Sequence, residues 1–341
     1  MNSRNPLADL LLISVMLFLM CLPPLAQAIT LKLATIAPDG SYWMTMFRKS
    51  AKQIKKDTGG RVKLKFYPSG IMGNQDTVLR KMRIGQLHGG AFTSGALGGL
   101  YPDSQIYSLP LVFKSLNEVD YVRQHMDQQI IAGFDKAGMV TFGLSEGGLA
   151  YAMSSQPITS ASDLLERKIW APSNNKNVEL TLEAFDVTPI SLAISDVLIG
   201  LQTSLIDTVA TSPTAAIALQ WHTQIKYITD IPFIYFYSLV AIDKKYFNRI
   251  SAKDQIIVSN ILSETVTKID KQNRKDNSAA LLALQNQGIT LIKPDDATRQ
   301  QWYTKGEIAI DHVFQKGDIS QQFFDQLMAH IDTFRAQQAK F

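Results

Sequence analysis

ITLKLATIAPDGSYWMTMFRKSAKQIKKDTGGRVKLKFY, residues 29–67, holds the pattern that decides the fold. Ile29 to Ile36 and Val62 to Tyr67 are short runs of β-forming residues. Between them, Trp43 to Lys56 carries apolar side chains at helical spacing. A strand, a helix and a second strand in this order form a crossover unit, so the two strands are expected to lie parallel. The same alternation recurs downstream. Strands are expected at Met139 to Leu144, Arg167 to Ala171, Ile206 to Ala210 and Ile289 to Ile292, and a helix at Asp76 to Gly85. The reading is an α/β protein with largely parallel sheets. Gly and Pro close several of these strands, as in Ala37-Pro38-Asp39-Gly40, Tyr67-Pro68-Ser69-Gly70 and Ala171-Pro172-Ser173-Asn174. In open α/β sheets such strand ends are where ligands bind.

Two longer segments organise the rest. QIKYITDIPFIYFYSLVAID, residues 224–243, is apolar and rich in β-formers but contains Pro232. It exceeds an ordinary strand of about 5 to 6 residues, so it reads as two kinked strands carrying the chain between lobes. Ser251-Ala252-Lys253-Asp254 has the S-x-x-D form of a helix start, and neither Gly nor Pro follows until Gly288. A helix of that length spans roughly 55 Å, enough to cross two lobes as a spine; a break near Asn277-Ser278 is the alternative.

The chain opens with Arg4, an apolar block from Leu10 to Leu22, Pro23-Pro24, and Ala26-Gln27-Ala28. This is the pattern of a cleavable signal peptide cut after Ala28. The block is shorter than the roughly 20 residues a spanning helix needs. Cys21, the only cysteine, would leave with it, and Met20 before it argues against lipidation. Residues 29–341 then hold no thiol, which suits an oxidising compartment. With 46% hydrophobic residues the remainder can bury a large core, and its length suggests two domains. A formal charge of +4 over 341 residues is no nucleic-acid footprint.

Motifs for chemistry are missing. The five histidines, His88, His125, His222, His312 and His330, have no metal-ligand spacing. There is no G-x-S-x-G, G-x-G-x-x-G or phosphate loop. Ser173-Asn174-Asn175-Lys176 matches S-x-x-K, but S-D-N and K-T-G are missing, so this stretch reads as a helix cap. No cofactor and no metal is expected, and the chain is read as not an enzyme.

The order of motifs resembles the extracytoplasmic solute receptors of TRAP transporters, the DctP-type binding proteins. The resemblance rests on LKLATIAPDGSYW (31–43), GGRVKLKFYPSGIMGNQ (59–75), LPLVF (109–113), DLLERKIWAPSN (163–174) and LIGLQTSLIDTVATSP (198–213), five motifs in order. It implies a two-lobed periplasmic binding protein of α/β class, type II-like, with a long helix bridging both lobes and a ligand held in the cleft. The expected division is 29–147 with about 237–276 in the first lobe, and 148–236 with about 277–341 in the second. It also implies a periplasmic location, a small-molecule ligand and TRAP membrane subunits as partners. The receptor is expected to be a monomer. A sensing subunit for a membrane signalling protein is the rival reading; a periplasmic enzyme on the same scaffold is a third.

The chain departs from that family at the ligand clamp. The usual K-I-R-x-P strand end supplies an arginine that grips a carboxylate through paired hydrogen bonds. Here the stretch is Lys168-Ile169-Trp170-Ala171-Pro172, so Trp170 takes the arginine position. A second family arginine aligns with Leu149, and the family asparagine with Thr211. Trp170 is expected to stack on a ring or cover an apolar ligand; packing between lobes is the alternative. Lys168, two residues away on the same strand face, and Lys176 are the candidate partners for a carboxylate. Tyr42, Trp43, Gln75, Ser94, Ile194 and Ser212 complete the expected cleft. The ligand expected is a small organic molecule, an organic acid of aromatic or weakly charged character.

Overall fold

The computed structural model describes residues 28–339; the segment read as a signal peptide, with Cys21, lies outside them. The opening unit folds as expected: β1 (Ile29–Ala34), α1 (Tyr42–Asp57) and β2 (Val62–Tyr67), with β1 and β2 paired in parallel. Ser41 caps α1 by accepting from the Met44 N–H. Next come α2 (Gln75–Arg83), β3 (Gly89–Thr93), α3 (Leu116–Lys136), β4 (Met139–Thr141) and β5 (Ser145–Ser154). They are followed by β6 (Trp170–Pro172), α4 (Lys176–Ala184), β7 (Ile190–Leu192), α5 (Val197–Gln202), β8 (Thr208–Thr211) and α6 (Pro213–Ala218). The chain ends with β9 (Tyr227–Asp243), α7 (Lys244–Phe247), α8 (Ala252–Asn286), β10 (Thr290–Ile292), α9 (Asp296–Lys316) and α10 (Gln321–Gln338).

The main sheet has eight strands, ordered β2-β1-β3-β9-β5-β8, with β4 and β10 also on β9. It is mixed, which corrects the expectation of largely parallel sheets. β9 runs against β3, β4 and β5, and β5 runs against β8. Hydrophobic period identifies strands but carries no information about their direction.

β9 is a second correction. It is one strand of 17 residues, not two. Its Asp243 half pairs with β3 and β4 in the first lobe; its Tyr227 half pairs with β5 and β10 toward the second. Pro232 lies opposite Tyr151, where the pairing with β5 slips register on both sides. Proline has no ladder donor, and a bulge is where a strand tolerates it. Ile234 and Phe236 point to one face, while Tyr235, Tyr237 and Leu239 enter a core with Phe92, Phe113 and Phe134.

The spine is continuous: α8 has 35 residues, about 52 Å at 1.5 Å each, unbroken at Asn277-Ser278. Ser251 caps it from the Asp254 N–H. Asp254, 2% exposed, receives two hydrogen bonds of 2.8 Å from Arg61, which holds its carboxyl below the usual range. The first half of α8 covers β1 and α1 through Val258, Leu262 and Ile269; Leu284 near its end joins Trp170, Val197 and Trp221 in the second lobe.

The C-terminal helices divide. α9 packs on α4 with Trp302 against Phe185 and Phe233, whereas α10 packs on α3, with Leu327 and Ile331 in the same core as Val122 and Met126. Helix α10 was expected with the second lobe; its apolar face meets the first. At Gly133 in α3 an added Cβ would overlap the Tyr101 ring, which also edges onto Phe134 and Phe323. Gly133→Ala should therefore destabilise by about 1–2 kcal/mol, overpacking outweighing the gain in helix propensity. A urea midpoint that rises in this variant would show that the ring has room to move.

Candidate functional site

A cavity of about 450 Å³ lies between the lobes. Its walls come from strand ends and helix starts: the start of α1 with Tyr42 and Trp43, the start of α2 with Gln75 and Asp76, and the end of β3 at Thr93 with Ser94 just after it. The second lobe supplies Trp170 on β6, Ser173 and Asn175 before α4, Ile194, and Thr211 with Ser212 between β8 and α6. The base is β9 and the spine, through Phe236, Asn273, Asp276 and Asn277.

Eight residues of the expected cleft set meet here: Tyr42, Trp43, Gln75, Ser94, Trp170, Ile194, Thr211 and Ser212; Ser173, read from the sequence only as part of a helix cap, joins them. Several are already engaged. Trp43 donates its indole N–H to Asn273 Oδ1 at 2.9 Å. Gln75 clamps the end of β3, accepting from the Thr93 N–H at 2.8 Å. Ser212 caps α6. Trp170 is 7% exposed, donates to the Leu192 carbonyl at 3.0 Å, and meets Trp221 edge to face at 5.1 Å.

Three expected residues lie elsewhere. Leu149 is buried in the first-lobe core opposite Tyr235. A register shift between Glu146 and Gly148 moves Glu146 and Gly147 to the cavity wall instead. Lys168 precedes β6, so strand alternation does not carry it to the face of Trp170; its ammonium donates to the Ser204 carbonyl at 3.0 Å. Lys176 pairs with Asp318 at 3.0 Å. Neither lysine lines the cavity.

The sequence reading missed the polar floor. Asn273 donates to the Glu146 carbonyl at 2.7 Å, and Asn277 donates to the Gly147 carbonyl at 3.2 Å. Arg274 between them binds Asp120 through two hydrogen bonds and also Glu146, 1% exposed. Asp120 and Glu146 hold the Arg274 guanidinium above its ordinary value against desolvation. Arg123 beside it bonds Asp127, Asp270 and the Tyr235 hydroxyl. The detectable signal was Asn273, Asp276 and Asn277, whose spacing of three and four puts them on one face of the spine.

The sequence profile of the bacterial extracellular solute-binding proteins, family 7 (DctP), matches residues 33–317. A solute-binding protein of Roseobacter denitrificans is 28% identical over 190 residues, 53% of this chain and 56% of its own length. The chain thus spans little more than half of that relative. The C4-dicarboxylate-binding periplasmic protein DctP of Rhodobacter capsulatus is 22% identical over 297 residues, covering 85% of this chain and 87% of that one. In structure, a TRAP periplasmic solute-binding protein from Pseudomonas putida F1, crystallised with bound D-glucuronate, superposes with a TM-score of 0.78 at 19% identity. That match covers 89% of this chain and 97% of the other and shows the shared two-lobed fold. With its order of strands, its spine helix and a profile match over most of its length, the chain belongs to the DctP family of bacterial extracellular solute-binding proteins.

Proposed function

We propose that this protein is a periplasmic receptor that closes its lobes on a small organic solute and presents the closed form to the membrane subunits of a TRAP-type transporter. The observation that carries this reading is the cavity itself, walled on one side by Trp43 and Ser94 and on the other by Trp170 and Ser212. A solute touching both walls binds the closed form better than the open one, and that differential affinity drives closure. The Rhodobacter relative is named for C4-dicarboxylates and the Pseudomonas structure holds D-glucuronate, which supports solute capture as the shared activity. The chain crosses between lobes in β5, β9 and α8, near residues 148, 237 and 277, with α10 returning to the first lobe.

A polar contact bridges the cleft: Asn174, ahead of α4, donates to Asp76 Oδ2 at the start of α2, at 2.9 Å. It forms only where the lobes meet. Asn174→Ala should shift the balance toward the open form by about fivefold, the worth of one hydrogen bond near 1 kcal/mol. Small-angle scattering would show a larger mean radius without solute and recovery of the compact form at saturating solute. A receptor whose radius never responds to any solute is not working by closure.

A further inference from the structure

Among the described residues that line the cavity there is no lysine, arginine or histidine, but there are three carboxylates: Asp76, Glu146 and Asp276. Glu146 is matched by Arg274, which also serves Asp120. The other two have only neutral hydrogen-bond partners. Asp76 accepts from the Asn174 amide and Asp276 from the Gln272 amide, at 2.9 and 2.7 Å. The two lysines nearest Trp170 in sequence are engaged away from the cavity by Ser204 and Asp318. Most of the remaining wall is apolar and aromatic, with Trp43, Phe92, Trp170, Ile194, Trp221 and Phe236.

A carboxylate entering this space would lose its hydration without meeting a cation, and would face like charge. The opposing influence is the helix starts at the wall, whose dipoles favour negative charge. In each of these the first turn already has a side-chain acceptor: Ser41, Asn74, Asn175 and Ser212 bond the N–H groups of Met44, Thr77, Val178 and Ala215. Partial charges already capped do not outweigh two carboxylates without counterions. An ammonium group, in contrast, finds Asp76 or Asp276 together with indole faces that attract cations. A neutral body finds apolar surface in a space of the size that takes small organic ligands.

We infer that the solute carries an ammonium group or no charge on an apolar, ring-sized body, and that carboxylates are rejected. This rests on the receptor reading above. The test is a thermal-shift and calorimetric screen of the mature protein with matched triplets on phenyl, cyclohexyl, indolyl and isobutyl bodies. Each triplet presents the same body as carboxylate, alcohol and primary amine, for example phenylacetate, 2-phenylethanol and 2-phenylethylamine. The expected result is stabilisation confined to amines and alcohols, with any carboxylate at least tenfold weaker than its partners. A carboxylate that binds as tightly as its matched amine or alcohol overturns the inference and leaves the receptor reading standing. A screen that is flat throughout, together with no compaction by scattering, counts against the receptor reading and this inference falls with it. In Asp76→Asn/Asp276→Asn the ratio of amine to carboxylate affinity should fall about tenfold; an unchanged ratio removes the two carboxylates from the explanation.

Discussion

Arg274→Leu is expected to lower folding stability by about 3–5 kcal/mol, because it leaves Glu146 buried without its cation. Glu146 is 1% exposed, so water does not replace the lost partner. Asp120 is different: its side chain is 44% exposed, and solvent screens it once the guanidinium is gone. The cost should therefore track Glu146 alone, and Arg274→Leu combined with Glu146→Gln should recover most of it. Denaturant midpoints for the two single variants and the double variant close this cycle. If the single arginine variant loses less than about 1 kcal/mol, the buried charge is not what Arg274 supports. The position makes the effect larger than its energy suggests. Arg274 ties the spine to α3 through Asp120 and to the start of β5 through Glu146, so its loss loosens the junction where the chain passes between lobes.

Trp170→Ala is expected to weaken solute binding by roughly 30- to 100-fold, as loss of a buried aromatic wall does at recognition sites. It should also cost about 3 kcal/mol of stability in the unliganded protein. The second effect follows from Trp221, which would lose its edge-to-face partner, and from the Leu192 carbonyl, which would lose its donor. The lower end of the range for tryptophan deletion applies because one side of the ring already faces the cavity. Trp170→Phe separates the two roles: it keeps an aromatic wall but drops the hydrogen bond, so stability should fall by about 1 kcal/mol with affinity changed only a few-fold. Calorimetric titration of all three forms with one solute decides the matter. Unchanged affinity in Trp170→Ala would leave the indole as packing between Trp221 and β7 and nothing more.

The crossover unit of residues 29–67 and the spine were legible because each rests on local signals: alternation, helical period, a capping serine, and a long stretch without Gly or Pro. So was the place of Trp170 on a short strand with Pro172, although it opens that strand and does not close it. What could not be read depended on pairing between distant segments. The direction of β9 is set by β3 and β5 on its two edges, and its continuity past Pro232 by a bulge in the β5 ladder. Leu149 was misplaced for a related reason, since a register shift one turn of the pleat earlier exchanges the faces of β5. Lys168 failed because β6 begins at Trp170, three residues later than the expected start at Arg167. The acidic character of the cavity was invisible, because Asp76, Glu146 and Asp276 are 70 to 200 residues apart in sequence and only folding brings them to one cavity.

The single strand of 17 residues shared by the two lobes makes the protein a flexure and not a door on a loose pin. A pleated ribbon stitched along both edges resists bending and springs back to its own curvature once the load is gone. The rest angle of the unliganded protein is then a property of this ribbon, and under the proposed receptor function its reopening requires no fuel.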